Sequence, residues 1–229
     1  MELNKIYNMD CLEGLKQLED NSIDLVLTDP PYGLDIAKNG YVGGENATKP
    51  TNYGIQDWDS SIPSAEYFKE IMRVSKNQII FGGNYFLDYL GKTKCFIVWD
   101  KGRRETNFAD CELAWTSFDK PTRIFKYTWD GMRQESMKFK EKRIHPTQKP
   151  LKLGLWILDK FSAEGDIILD THIGSGTFMV ASQQLNRQYL GFDISKEYCD
   201  MAKKRLIQEP LFKPEQLTLS HNDKKEMNK

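Results

Sequence analysis

The chain has 229 residues, enough for one large domain or one domain with a small insert. Hydrophobic residues make up 39% and charged residues 28%, an ordinary globular balance, and no apolar run approaches the roughly 20 residues of a membrane helix. The opening Met1-Glu2-Leu3-Asn4-Lys5 is too polar for a signal peptide, so a cytoplasmic protein with no membrane partner is expected. Cys11, Cys95, Cys111 and Cys199 form no CxxC pair, and only His145, His172 and His221 stand beside them, so reduced thiols and no metal are expected. The net charge of -1 announces no polyanion partner for the chain as a whole. Its distribution is uneven, with about 5 Lys/Arg against about 13 Asp/Glu in residues 1–70 and about 13 against about 7 in residues 101–152. A positive face and an ordinary solvated surface both fit that middle segment.

Along the chain, Lys5 to Asp10 reads as a short strand and Cys11 to Leu18 as a helix with Leu12, Leu15 and Leu18 on one side. Ile23-Asp24-Leu25-Val26-Leu27-Thr28 has the near-continuous apolar character of a buried parallel strand. Asp29-Pro30-Pro31-Tyr32-Gly33 ends it, because two successive prolines cannot continue a central strand. A glycine-bearing loop follows from Gly33 to Pro63. Ser64 is placed to cap a helix running to about Lys76, with Phe68, Ile71 and Met72 inward. Gln78–Phe81 and Cys95–Trp99 read as buried strands, Glu112–Trp115 and Arg123–Thr128 as strands of alternating or mixed polarity. Leu151–Phe161 is a Leu-rich helix, and Ile167–Asp170 a strand before a helix from about Ser175 to Asn186. The strand Tyr189–Asp193 and a Ser195-capped helix to about Gln208 complete an α/β pattern, and the polar tail at 209–229 is expected to fray.

Two constellations carry chemistry. In Asp170-Thr171-His172-Ile173-Gly174-Ser175-Gly176-Thr177, the glycines let the backbone bend sharply between a buried strand and a helix whose free amides suit an anionic group. Asp193 ends the next strand, where nucleotide-binding folds place an acid for ribose hydroxyls. Met179 stands where GxGxxG needs its third glycine, which argues against a nicotinamide and leaves other adenosine ligands open. A glycine turn for tight strand–helix packing is the plainer alternative. In Asp29-Pro30-Pro31-Tyr32, a carboxylate and a stiffly held Pro30 carbonyl stand at the carboxyl edge of the sheet, with an aromatic face beside them. Two such acceptors suit an aromatic amine, whose delocalised lone pair makes it a poor nucleophile until its hydrogens are held. Tyr32 offers a surface for a flat heterocycle.

Together these motifs resemble the DNA amino-methyltransferases that modify adenine N6 or cytosine N4, over roughly residues 4–208. The early Asp-Pro-Pro-Tyr and late glycine turn resemble the circularly permuted beta subgroup. The resemblance implies an α/β, Rossmann-like methyltransferase fold with a mainly parallel seven-stranded sheet and one antiparallel strand near an edge. It places Lys5–Asp10 beside Tyr189–Asp193, within a single catalytic domain over residues 1–208. Asn8-Met9-Asp10-Cys11 is similar to the family's adenine-contacting turn, with Asp10 as acceptor for an amino group. His145-Pro146-Thr147-Gln148-Lys149-Pro150 is similar to the segment at the methionine end of the cofactor. Read without the family, it is a proline-bounded helix start with His145 and Lys149 exposed. Trp99-Asp100-Lys101 resembles the end of a central strand in the same group, or else is a core tryptophan beside surface charges. His172 departs from the family's phenylalanine, and a packed or hydrogen-bonded imidazole is expected there rather than a catalytic one.

The function implied is site-specific transfer of a methyl group from S-adenosylmethionine to adenine N6 on a flipped base in double-stranded DNA, a chemistry that needs no metal and no covalent enzyme intermediate. Asp29, Pro30, Pro31 and Tyr32 are the expected catalytic group. The expected cofactor residues are Asp10, Cys11, Asp29, Gln148, Lys149, Asp170, His172, Ile173, Gly174, Ser175, Gly176, Thr177, Asp193 and Ile194. A small target-reading segment near 101–143 offers Arg103, Arg104, Arg123, Lys126, Arg133, Lys138, Lys140 and Arg143 to DNA. Cytosine N4, RNA, a protein glutamine side chain and a non-enzymatic DNA-binding relic are the alternatives. Glutamine methyltransferases favour Asn-Pro-Pro-Tyr and the other motif order. A homodimer is left open.

Overall fold

The run at 23–28 is apolar on both sides because both sheet faces are covered there. Leu25 and Leu27 join the core on one face, and Ile23 and Val26 the core on the other. This computed structural model describes residues 1–34, 61–102, 109–130, 133–135, 140–145 and 147–208. Most of the loop expected between Gly33 and Pro63, the tail at 209–229, and Arg103, Arg104 and Lys138 therefore lie outside the described residues.

The elements in chain order are β1 (Lys5–Asn8), α1 (Cys11–Leu15), β2 (Ile23–Thr28), α2 (Ala65–Val74) and β3 (Ser75–Phe81). A 3-10 turn at Gly83–Tyr85 leads to α3 (Leu87–Leu90), β4 (Phe96–Asp100), β5 (Cys111–Thr116) and β6 (Arg123–Lys126). A two-stranded ribbon of β7 (Trp129–Asp130) and β8 (Arg133–Gln134) precedes α4 (Leu151–Phe161), β9 (Ile167–Asp170), α5 (Thr177–Gln184), β10 (Gln188–Asp193) and α6 (Lys196–Ile207).

Among the described residues the main sheet has eight strands in the order β1-β10-β9-β2-β3-β5-β4-β6. β5 alone runs against its neighbours, antiparallel to both β3 and β4. The strand beyond the seven expected is β6, which adds to β4 in parallel at one edge. At the other edge Lys5–Asn8 pairs with Leu190–Asp193, as expected for the two chain ends. Residues of α1, α2 and α3 pack in the core on one face, and those of α4, α5 and α6 in the core on the other.

Local chemistry explains where the helices begin. Ser64 Oγ accepts from Tyr67 N to cap α2, Ser195 Oγ accepts from Tyr198 N to cap α6, and Asp10 Oδ1 accepts from Leu12 N and Glu13 N to cap α1. α2 buries Tyr67, Phe68, Ile71 and Val74, whereas Met72 of the expected inner face is only partly covered. The bulk of Tyr67 turns the helix this way, since its hydroxyl reaches Thr171 Oγ1 at 2.6 Å in the site region. No helix among the described residues is long and apolar enough to cross a membrane.

Candidate active site at the carboxyl edge of the sheet

β1, β10, β9 and β2 are parallel neighbours, so their carboxyl ends share one edge. The succession reverses between β9 and β2, because each strand's next partner lies on the opposite side. Open α/β sheets bind ligands in the crevice at such a reversal. Here Asp10, Asp193, Asp170 and Asp29, one from each strand exit, line a cavity of about 260 Å³. Every residue expected to hold a cofactor lines this cavity except Gly176.

Gly176 does something else. It sits at φ +72°, and a Cβ built on it would lie 2.6 Å from Ala202 Cβ of α6. Its missing side chain lets α5 and α6 close on each other, so the packing reading of the glycine turn holds at this position. Gly174 does belong to the cavity, and its N–H donates to Asp193 Oδ2 at 3.0 Å while Ser195 N donates to Asp193 Oδ1 at 2.8 Å. Ser175 and Thr177 also brace the turn. Thr177 Oγ1 donates to the Lys149 carbonyl at 3.1 Å, and Arg205 of α6 donates to the Ser175 carbonyl and to Thr177 Oγ1. The glycine turn is thereby fastened to the segment before α4.

That segment is buried. His145 and Lys149 are each only 6% exposed, not the surface groups that their neighbouring residues alone would predict. His145 packs edge-on against Tyr198 at 4.5 Å between ring centroids, and burial drives its pKa down to about 3, so the imidazole is neutral. Gln148 spends its amide on its own loop, accepting from Ile144 N and donating to the Lys142 carbonyl. Its contribution to the cavity is shape.

Two acids set the charge at the β9 and β2 exits. Burial raises the Asp170 pKa to about 7, aided by the nearby Asp29 and Asp193 charges and opposed by the His172 amide and the Thr28 hydroxyl. His172 is held by Thr171 Oγ1 at Nδ1, 3.0 Å away, with Cys11 Sγ 3.8 Å from Nε2 and the Tyr67 ring edge-on at 5.4 Å. Burial lowers its pKa to about 4, so it is an uncharged wall, the packed imidazole that the sequence leads one to expect. Burial likewise pushes the Cys11 thiol up to about 12. Thr28 and Thr171 hydroxyls meet at 3.0 Å and tie the two strand exits together.

Asp29 and Pro31 line the cavity, while Pro30 is buried and Tyr32 lies beside it. Asp29 Oδ1 accepts from the Tyr32 hydroxyl, and Oδ2 is paired with the Lys149 ammonium. Burial raises the Asp29 pKa and the Glu112 charge adds to the rise, against the pull of Lys149. Tyr32 stacks on Tyr85 with centroids 5.2 Å apart, and a Cβ on Gly82 would collide with the Tyr32 ring. The glycine that stops β3 thus seats the tyrosine of the Asp-Pro-Pro-Tyr segment.

Residues outside the expected catalytic and cofactor sets complete the site. Met9, Thr147, Thr171, Phe178, Ser195 and Tyr198 line the cavity, and most of them flank a motif residue by one or two positions. Glu112 is of another kind. It sits on β5 opposite Trp99, with Lys101 Nζ 2.5 Å from Oε1 and Lys149 Nζ 3.2 Å from Oε2. Lys101 is consequently no surface charge, and Trp99 is a core residue whose Nε1 donates to the Tyr127 carbonyl.

The described basic residues of the middle segment do not form one cluster by position. Lys126 ends β6 beside Asp100, whereas Arg123 begins it beside Ile97, on the sheet edge away from the cavity. Arg133 and Lys140 are exposed and Arg143 is half-buried, and the last two line a shallow basic cleft with Lys142.

Comparison with known proteins gives the family and the fold. The family model described as DNA methylase, N6_N4_Mtase, matches residues 89–204. The chain is 31% identical to the type II methyltransferase M.HpaI of Haemophilus parainfluenzae, over 87% of this chain and 73% of that one. The chain belongs to the DNA methylase family. It is therefore an amino-methyltransferase of DNA by family, with the Rossmann-like fold of that class. The crystal structure of an M1.HpyAVI–SAM complex superposes with a TM-score of 0.57 at 23% identity, covering 89% of this chain and 99% of that one. The cytosine-N4-specific PvuII DNA methyltransferase superposes with 0.59 at 15% identity, covering 95% and 94%.

The packing role of Gly176 is testable. Gly176→Ala should lower the unfolding free energy by about 1–3 kcal/mol, from positive-φ strain and overpacking together. An unchanged urea midpoint would contradict it.

Proposed function

We propose that the chain transfers the methyl group of S-adenosylmethionine to the N6 amine of adenine, at a short recognition site in double-stranded DNA. One observation carries the reading: Asp29 and the glycine turn, Asp170 to Ser175 with Thr177, line the same cavity. An acceptor for an amine and a nucleoside-type site thus lie side by side. The choice of adenine rests on Asp29, since the family leans to adenine where the motif opens with aspartate and to cytosine where it opens with serine.

The lining fits a nucleoside that also bears positive charge. Asp170 is a buried carboxylate held back from ionising, and a cation beside it restores its charge. Asp193 is fixed by two backbone amides and keeps lone pairs for ribose hydroxyls. Asp10 commits one oxygen to the α1 cap, and its other oxygen accepts nothing among the described residues, which suits an amino group. Met9, Ile173, Phe178 and the 68% exposed Ile194 supply apolar surface for a flat ring. S-adenosylmethionine, when bound, supplies a methyl carbon already activated by its sulfonium.

The remaining task falls to alignment. Asp29 and the Pro30 carbonyl take the two hydrogens of the amine, which localises its lone pair. Tyr32, seated on Gly82, stacks on the flipped base. Once the nitrogen has gained a methyl group it carries a proton too many. Asp29, with its pKa raised by burial, accepts that proton and passes it to water. Of the described residues expected at DNA, Lys126, Arg133, Lys140 and Arg143 are the ones offered to phosphates and base edges, and Arg123, on the sheet edge away from the cavity, is set aside.

Three outcomes check this. Asp29→Ala should cut methyl transfer by on the order of 100-fold or more while keeping most of the S-adenosylmethionine affinity. Nucleosides released from methylated DNA should contain N6-methyladenine by mass spectrometry; N4-methylcytosine, or label in RNA alone, would redirect the assignment. The third outcome concerns pH. A cationic ligand favours ionised Asp170, so binding releases a proton below its free pKa. Calorimetric affinity for S-adenosylmethionine should climb as the pH rises toward about 7 and level off above it. An affinity flat across that window would contradict the role of Asp170.

A further inference from the structure

Both oxygens of Asp29 are already taken, Oδ1 by the Tyr32 hydroxyl and Oδ2 by the Lys149 ammonium. An amine that needs Asp29 as its acceptor must therefore displace a donor. Moving a buried ammonium away from a carboxylate with no other acid at hand would strand both charges. The chain supplies a second carboxylate for the same ammonium. Glu112 Oε2 is buried and already within ion-pair reach of Lys149 Nζ, at 3.2 Å, but without the geometry of a full hydrogen bond among the described residues. Its other oxygen is anchored by Lys101, whose ammonium also lies over the Trp99 ring at 5.1 Å. Lys149 sits over the Phe81 ring at 5.0 Å, so its ammonium can pivot between the two acids without leaving an aromatic face.

We propose that Glu112 is a positioning residue that receives the Lys149 ammonium as the target amine arrives, and so frees Asp29 Oδ2 to hold the amine. The proposal rests on the amine-methylation reading above and adds a residue from β5, a strand that no motif marks. No proton or electron moves in this step; one ammonium exchanges hydrogen-bond acceptors, and Asp29, Lys149, Glu112 and Lys101 sum to zero charge before and after. After transfer the same motion in reverse reseats Lys149 on Asp29 and helps expel the methylated amine.

The charged environment of Asp29 is compact. Lys149 and Tyr32 touch it, Glu112 and Asp170 act on it through space, and Lys101 lies behind Glu112. The two ammonium groups hold the Glu112 pKa down to about 2, against burial, so Glu112 is charged throughout the working range. Its charge raises the Asp29 pKa. Removing that charge therefore lowers the Asp29 pKa while leaving Lys149 locked on Oδ2.

The test uses the full chain with Glu112→Gln and Glu112→Asp. In Glu112→Gln the single-turnover methylation rate should fall on the order of 100-fold, because the acceptor stays blocked, while S-adenosylmethionine affinity holds. Its acid limb in the pH–rate profile should move to lower pH, and Glu112→Asp should recover part of the rate. An unchanged rate, or a slower enzyme with an unmoved limb and no recovery in Glu112→Asp, would overturn the proposal. A second arm needs no DNA. The Asp29 carboxyl, followed by 13C NMR and assigned by its loss in Asp29→Asn, should titrate at lower pH in Glu112→Gln than in the parent chain, and an equal midpoint would also overturn it. A parent chain that methylates no DNA defeats the functional reading, while this titration still decides what Glu112 does to Asp29.

Discussion

A buried carboxylate facing a buried ammonium, Asp29 against Lys149, is the contact on which the rest of the site depends. Their side chains are only 17% and 7% exposed. Isolating either charge at that depth costs several kcal/mol, so the pair survives only because its surroundings hold both partners in place. Lys149 is raised by Asp29 and Glu112 against the burial that lowers it, and stays an ammonium. The four acids and bases, Asp29, Lys149, Glu112 and Lys101, come from the β2 exit, the segment before α4, β5 and the residue that follows β4. The sheet order, not proximity in sequence, is what joins them.

The same sheet order explains why an acceptor and a nucleoside pocket share one rim. β2 and β9 are neighbours, and a hydroxyl pair, Thr28 with Thr171, fixes their exits against each other. Tyr67 of α2 adds its hydroxyl to that pair from the opposite layer. Arg205 of α6 then clamps the glycine turn from behind. Each brace is a short polar contact inside an apolar shell, where low local dielectric strengthens it. Reacting groups are thus held by layers on both sides of the sheet.

Much of this was legible in the sequence where burial is complete. β2, α4 and β9 fall at the residues that their apolar patterns mark, because the two strands are covered on both faces and α4 buries most of its surface. Ser64 and Ser195 cap helices as their positions predict. Short elements left no periodicity to read, as with the turn at Gly83–Tyr85, α3 and the β7–β8 ribbon. The site divides the same way. Asp-Pro-Pro-Tyr and the glycine turn announce themselves by residue type. The burial of His145 and Lys149, the packing duty of Gly176 and the place of Glu112 depend on which elements meet. Glu112 in particular is decided by the β4–β5 register that sets it opposite Trp99, and no spacing along one chain encodes that pairing.

A double-mutant cycle on Asp29→Asn and Lys149→Met, measured by urea unfolding of the chain without ligand, tests the central contact most directly. Each single substitution should destabilise the fold, Lys149→Met by leaving the Asp29 carboxylate without its ammonium and Asp29→Asn by leaving Lys149 to Glu112 alone. The double variant should recover part of that loss, with a coupling of about 1–3 kcal/mol. Additive effects within about 0.3 kcal/mol would mean that the two groups do not sustain each other, and the account built on their pairing would fail.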